Sequence, residues 1–119
     1  VSGPQTMVPR FIESLGVTFI PSIADAVRDM DVIMMLRIQL ERQAQSLFST
    51  VREYSRFFGL SRAVLENARP DVLIMHPGPV NRGIEMSADV MDGPKSIILD
   101  QVTNGVAVRM ALMYLLIGK

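Results

Sequence analysis

Two polar residues follow an apolar run about a third of the way along the sequence. Residues 32–36 are apolar, and Arg37 and Gln39 come next, separated by one residue. Residues two positions apart in an extended chain point to the same side, which brings a guanidinium and an amide together. Such a pair can hold a carboxylate through a bidentate ion pair and a further hydrogen bond. The simpler interpretation is a solvated arginine at a strand end that pairs with Glu41.

A second apolar run, residues 72–75, is followed by His76, Pro77, Gly78 and Pro79. Two prolines around one glycine fix an unusual backbone path and leave carbonyl groups without partners in a sheet. Those carbonyls can accept hydrogen bonds from an ammonium or amide group of a ligand. The simpler interpretation is an ordinary exit from a strand, with His76 as a hydrogen-bonded structural residue.

The elements that position these residues follow an alternating pattern of short strands and helices. Buried apolar runs joined by helical segments are typical of an α/β fold with an open parallel sheet flanked by helices in three layers. In such sheets ligands bind beyond the carboxyl ends of the strands, where both polar segments fall. The sequence predicts strands at 17–20, 32–36 and 72–75, and helices at 9–15, 22–30, 51–58, 61–67 and 104–116.

Composition excludes several classes of protein. Twelve Lys and Arg balance twelve Asp and Glu among 119 residues, so the net charge gives no reason to expect nucleic acid or an anionic membrane as a partner. Cysteine is absent and there is one histidine, which argues against a thiolate or His-rich metal site and favours a reducing cytoplasm. The longest apolar stretch is about half of what a bilayer span requires.

The last predicted helix is apolar on nearly its whole circumference, with Arg109 as its only charge. A helix of this kind needs protein on most of its surface. A chain of 119 residues rarely surrounds a helix so close to its end. The pattern therefore predicts that this helix packs against another domain or another subunit.

Three motifs in a fixed order carry a resemblance to a known family. The first contains Arg37, Gln39, Glu41 and Arg42; the second is His-Pro-Gly-Pro-Val-Asn-Arg-Gly-x-Glu at 76–85; the third is Gln-Val-x-Asn-Gly-Val-x-Val-Arg-Met-Ala at 101–111. Together they resemble the catalytic chain of aspartate carbamoyltransferase over nearly all of the sequence. Related ornithine enzymes have a cysteine after the corresponding histidine, where this chain has Pro77, which favours aspartate as the acceptor.

The resemblance implies transfer of a carbamoyl group from carbamoyl phosphate to L-aspartate, in pyrimidine biosynthesis. It implies that Arg37 binds an aspartate carboxylate with the help of Gln39. It also implies that the carbonyls of Pro77 and Gly78 hold the carbamoyl amide or the attacking amine, and that the Gly78–Pro79 bond is cis. No metal and no cofactor is implied. Four residues are implied in the loop that closes the site or behind its lining: Glu41, Arg42, His76 and Arg82.

The family has two α/β lobes, and this sequence resembles only the second, aspartate-binding lobe. Residues 1–119 are therefore expected to form one domain, with the carbamoyl phosphate lobe outside the sequence and no turnover by this chain alone. The full protein is expected to be a cytoplasmic homo-oligomer, a trimer. The alternative is a non-catalytic module of the same fold that binds a dicarboxylate or a carbamoyltransferase subunit.

Overall fold

The structure is a computed structural model that describes residues 1–39 and 50–117. Two 3₁₀ turns, Gln5–Met7 and Ile12–Leu15, precede the regular elements. The helices are α1 (Ile23–Ala26), α2 (Val51–Phe58), α3 (Arg62–Leu65), α4 (Ala88–Met91) and α5 (Ile98–Ile117), and the strands are β1 (Val32–Met34) and β2 (Leu73–Met75).

The two strands form a parallel sheet in which Ile33 pairs with Ile74. On the other side of β2, the backbone N–H of Ile74 donates to the carbonyl of Lys95 at 2.9 Å. The backbone N–H of Ile97 donates to the carbonyl of Ile74, also at 2.9 Å. The 95–97 segment thus takes the position of a third parallel strand. Helices lie between and beside these segments, and the prediction of an α/β fold with a parallel sheet is confirmed.

Local signals in the sequence set several element ends as predicted. The Ser22 side chain accepts the backbone N–H of Asp25 at 3.3 Å, and Ser61 accepts that of Val64 at 3.4 Å, so both serines cap helices. Gly16 ends the second 3₁₀ turn with a φ of 75°, which glycine adopts without steric cost. The helices at 22–30 and 61–67 are nevertheless shorter than predicted, since regular helix ends at Ala26 and at Leu65.

Two strand predictions need correction. In the described part of the chain, residues 17–20 do not form a strand. The amino group of Val1 donates to the carbonyl of Thr18 at 2.8 Å, and the N–H of Ile20 donates to the carbonyl of Val1 at 2.9 Å. The run 32–36 is predicted as a buried strand, but Val32 and Met34 are 45% and 46% exposed whereas Ile33 is buried. The described elements therefore cover one face of β1 only. Among the described residues, nine buried apolar side chains form one connected core: Val27, Ile33, Met35, Leu60, Val72, Ile74, Met86, Val90 and Ile98.

Helix α5 begins at Ile98, six residues before the predicted start, and projects from the rest of the domain. Ile98 is its only buried residue among 98–117, and Met110 and Leu115 are 66% and 67% exposed. The radius of gyration is 16.1 Å, against about 13.5 Å for a compact chain of this length. Among the described residues no helix is both long enough and apolar enough to cross a membrane.

Candidate binding site at the ends of the parallel strands

The two predicted polar segments leave the sheet side by side. The backbone N–H of Met35 donates to the carbonyl of Met75 at 2.9 Å, just past the paired ends of β1 and β2. Beyond this point β1 leads into residues 36–39 and β2 leads into residues 76–81. Because the strands are parallel, both segments lie at the same edge of the sheet, where open α/β sheets bind ligands.

Alternation of burial orients the first segment. Ile38 is buried at 4% exposure, whereas Arg37 and Gln39 on either side of it are partly exposed. A buried residue between two partly exposed ones agrees with the expectation that Arg37 and Gln39 share one side of the chain. Glu41 and Arg42, expected on a closing loop, lie outside the described residues.

The second segment is a tight turn with a cis peptide bond between Gly78 and Pro79, which confirms that prediction. Gly78 has a φ of 68°, a conformation that L side chains rarely adopt. Pro77 is exposed and Gly78 is partly exposed. Within the described residues no backbone N–H donates to the carbonyl of Pro77 or Gly78.

His76 supports this turn from inside the domain. Its imidazole is fully buried, and Nδ1 accepts the backbone N–H of Gly78 at 2.9 Å. Because Nδ1 accepts, the neutral ring carries its proton on Nε2, which has no hydrogen-bond partner among the described residues. Burial lowers the pKa of His76, and the nearby carboxylate of Glu85 partly opposes this effect. The lowered pKa favours the neutral ring, whose Nδ1 accepts the N–H of Gly78 in the turn.

Gln101, in the first turn of α5, binds the backbone of His76. Its Oε1 accepts the backbone N–H of His76 at 2.9 Å, and its Nε2 lies 3.8 Å from the sulfur of Met34 in β1. The sequence motif contained Gln101 without indicating a role for it. The side chain links the start of α5 to the ends of both strands.

Glu85 is a second residue whose place the sequence did not predict. Its side chain is fully buried and accepts three hydrogen bonds, from the backbone N–H groups of Ile38 and Asn81 and from the side-chain amide of Asn81. Its negative charge also raises the pKa of Tyr54 in α2, after the larger effect of burial. The only available signal was its fixed place at the end of the second motif.

Arg82 points to a different neighbour. Its guanidinium donates to both carboxylate oxygens of Asp92, at 2.6 and 3.1 Å, in an exposed pair. The hydrogen bond from Arg82 lowers the pKa of Asp92. This pairing ties the second motif to the end of α4 and leaves the expected role of Arg82 behind the site as a prediction. In the described ranges 1–39 and 50–117, no group of three or more acidic, His or Cys side chains is placed to hold a metal.

Short parallel strands with polar segments beyond their carboxyl ends are the arrangement in which open α/β domains bind ligands. The sequence model of the family described as aspartate/ornithine carbamoyltransferase, Asp/Orn binding domain, matches residues 11–116. The chain belongs to this family.

Curated relatives and solved structures agree with this assignment. The chain is 59% identical over 118 residues to the aspartate carbamoyltransferase catalytic subunit of Syntrophus aciditrophicus and 58% identical to that of Desulfosudis oleivorans. Each match covers 99% of this chain and 38% of the relative, so the chain spans well under half their length.

Solved ornithine carbamoyltransferases share the fold at lower identity. The structure from Pyrococcus furiosus is 28% identical, with a TM-score of 0.69 over 88% of this chain and 34% of its own. The structure from Burkholderia thailandensis has a TM-score of 0.75 over 97% of this chain and 37% of its own, at 24% identity, and this likeness concerns the fold alone.

Proposed function

We propose that this chain is the aspartate-binding half of an aspartate carbamoyltransferase, which transfers a carbamoyl group from carbamoyl phosphate to L-aspartate in pyrimidine biosynthesis. The observation that carries the proposal is the identity of 57–59% to several aspartate carbamoyltransferase catalytic subunits across nearly the whole chain. The placement of both predicted recognition segments at one edge of the sheet supports it.

In this proposal the first segment binds the acceptor and the second binds the groups that react. The guanidinium of Arg37 holds an aspartate carboxylate through a charge-assisted pair, and the amide of Gln39 adds a hydrogen bond. The carbonyls of Pro77 and Gly78 accept from the attacking amine or the carbamoyl amide, in a turn where no described backbone N–H donates to either of them. Glu41 and Arg42 belong to the loop that closes over the bound substrates.

Aspartate is the proposed acceptor in preference to ornithine. The curated relatives named for aspartate share more than half of their aligned residues with this chain, whereas the solved structures named for ornithine share 19–28%. Pro77 stands where the resemblance places a cysteine in the ornithine enzymes. A proline backbone offers a carbonyl and no side-chain donor or acceptor, in keeping with recognition through the main chain.

Helix α5 supplies the contact with the rest of the protein. Its apolar residues remain exposed along almost its whole length, and the curated relatives are more than twice as long as this chain. An apolar surface of this extent marks an interface. We take its occupant to be the carbamoyl phosphate-binding lobe of the same polypeptide.

Catalysis then depends on bringing two substrates together. The reaction needs no covalent intermediate, because an amine positioned against the carbamoyl carbon gains most from proximity and from donors that stabilise the tetrahedral oxyanion. This chain supplies the acceptor side of that arrangement. The phosphate side requires cationic and backbone donors from the other lobe, so this chain by itself is inactive. The full protein is a cytoplasmic homotrimer.

The test compares the full-length polypeptide with this chain alone. The full-length protein is incubated with carbamoyl phosphate and either L-aspartate or L-ornithine, and the carbamoylated product is quantified. The proposal expects carbamoyl aspartate from the full-length protein, little product from ornithine and none from the chain alone. Preferential carbamoylation of ornithine would contradict the choice of acceptor, and aspartate binding without turnover would favour the non-catalytic module.

A further inference from the structure

A buried carboxylate joins the two proposed recognition segments. Oε1 of Glu85 accepts the backbone N–H of Ile38 at 2.8 Å, and Oε2 accepts the backbone N–H of Asn81 at 3.0 Å. Burial of a charged group is costly unless hydrogen bonds compensate for the lost hydration. Here both oxygens accept, and the side chain of Asn81 adds a third donor at 2.8 Å.

The two backbone donors lie in different segments, one after β1 and the other after β2. Ile38 lies between Arg37 and Gln39, and Asn81 lies three residues after Gly78. The amide of Asn81 also donates to the carbonyl of Ile38 at 3.3 Å, which gives a second connection between the segments. Beyond the ends of β1 and β2, these contacts hold the two segments together, as hydrogen bonds between paired strands do within the sheet.

Glu85 itself is fixed to the core. Its carbonyl accepts the backbone N–H of Leu60 at 2.8 Å, and Leu60 pairs with the adjacent Met86 in an isolated parallel bridge. Leu60 and Met86 are both fully buried. A carboxylate held on a buried backbone is a rigid reference point for anything that donates to it.

We propose that Glu85 is a positioning residue, which sets the separation between the Arg37–Gln39 segment and the carbonyls of the Pro77–Gly78 turn. The inference rests on the proposed function. A ligand with a carboxylate at one end and an amine a few bonds away meets both segments only when their separation is fixed. Loss of Glu85 thus weakens binding of the acceptor more than it weakens binding of the carbamoyl donor.

The test uses Glu85→Gln in the full-length protein. A glutamine amide has one oxygen, so either Ile38 N–H or Asn81 N–H faces an NH₂ group in place of an acceptor. We expect the KM for L-aspartate to rise at least tenfold, and the Kd of carbamoyl phosphate, measured by calorimetry, to change less than twofold. Asp71→Asn makes the same chemical change in an exposed carboxylate that pairs with Arg69, and it leaves both constants unchanged.

A second variant, Asn81→Ala, tests the same inference if Glu85→Gln does not fold. It removes the two side-chain contacts of Asn81 and leaves its backbone N–H on Glu85, so the KM for aspartate rises about threefold. The inference would be overturned if both variants are soluble and each has a lower melting temperature but an unchanged KM for aspartate. If only Asn81→Ala is soluble, the same result for that variant would overturn it, because the role of Glu85 would then be purely structural. A wild-type protein that forms no carbamoyl aspartate would instead contradict the proposed function, and this inference with it.

Discussion

The backbone N–H of His76 donates to the side-chain oxygen of Gln101 at 2.9 Å. Through this bond the first turns of α5 hold the strand exit that leads into the Pro77–Gly78 turn. The same helix exposes its apolar residues further along, on the surface that we assign to the other lobe. The surface assigned to the other lobe and the hydrogen bond that holds this strand exit therefore belong to one helix.

Gln101→Ala removes that connection. The backbone N–H of His76 then loses its partner in a buried position, which costs about 1–3 kcal/mol of stability. We expect a lower midpoint for urea unfolding of the full-length protein and a lower kcat, because the turn is held less firmly. Thr103→Ala, two residues further along α5, loses only an exposed hydrogen bond to Leu99 and serves as the control. Equal kinetics and stability for wild type and Gln101→Ala would contradict this role.

Arg37→Ala in the full-length protein tests the proposed carboxylate contact. Loss of a charge-assisted pair is expected to weaken aspartate binding by about 2 kcal/mol or more. This corresponds to a rise of about 30-fold in the KM for aspartate. Binding of carbamoyl phosphate stays nearly constant. An unchanged KM for aspartate would mean that another residue holds the carboxylate.

The lowered pKa of His76 makes stability depend on pH in a defined direction. Well above its ordinary pKa of 6.5 the ring is neutral in both the folded and the unfolded chain, so its contribution is complete. As pH falls below 6.5, the unfolded chain binds a proton before the folded chain does, and stability is lost down to the folded pKa.

His76→Asn tests this dependence while keeping an acceptor for the N–H of Gly78. Urea midpoints of the full-length protein are measured between pH 5 and 8. The loss of stability on acidification is expected to be smaller in the variant than in wild type. Parallel curves would indicate that His76 titrates normally in the folded protein.

Gly59→Ala tests the close packing behind the site. An added Cβ would lie 2.4 Å from the carbonyl oxygen of Ser55 and 2.8 Å from that of Ile84, both in the backbone. Neither atom can move without disturbing α2 or the segment that carries Glu85, so we expect a loss of about 1–3 kcal/mol in unfolding free energy. Gly3→Ala is the matched control, because nothing lies within 4 Å of its added Cβ.

The chain by itself is expected to self-associate and to have no activity. Exposed apolar residues of α5 drive association in the absence of the other lobe. Binding of L-aspartate to Arg37 and Gln39 in an open site is expected to be millimolar or weaker. Ultracentrifugation and calorimetry measure these properties, and addition of a separately made carbamoyl phosphate lobe should restore part of the activity. Clear turnover by the chain alone would contradict the division of the site between two lobes.

Local residue patterns determined the class of fold and several helix starts, and they predicted the two polar segments at the strand ends. The caps at Ser22 and Ser61 depend on contacts within one helical turn, and the alternation at Arg37, Ile38 and Gln39 depends on neighbouring residues alone. Short-range order of this kind is readable without coordinates. The family motifs had the same property, because each is contiguous in the chain.

Tertiary structure alone decided what connects these segments. Glu85 lies 47 residues from Ile38, and Gln101 lies 25 residues from His76. No local pattern separates a glutamate that accepts three buried hydrogen bonds from one in water, because burial depends on which distant segments close around it. The exposed face of β1 and the early start of α5 at Ile98 follow from the same cause. Periodicity reports the pattern of apolar residues, whereas the neighbours that cover them are set by long-range packing.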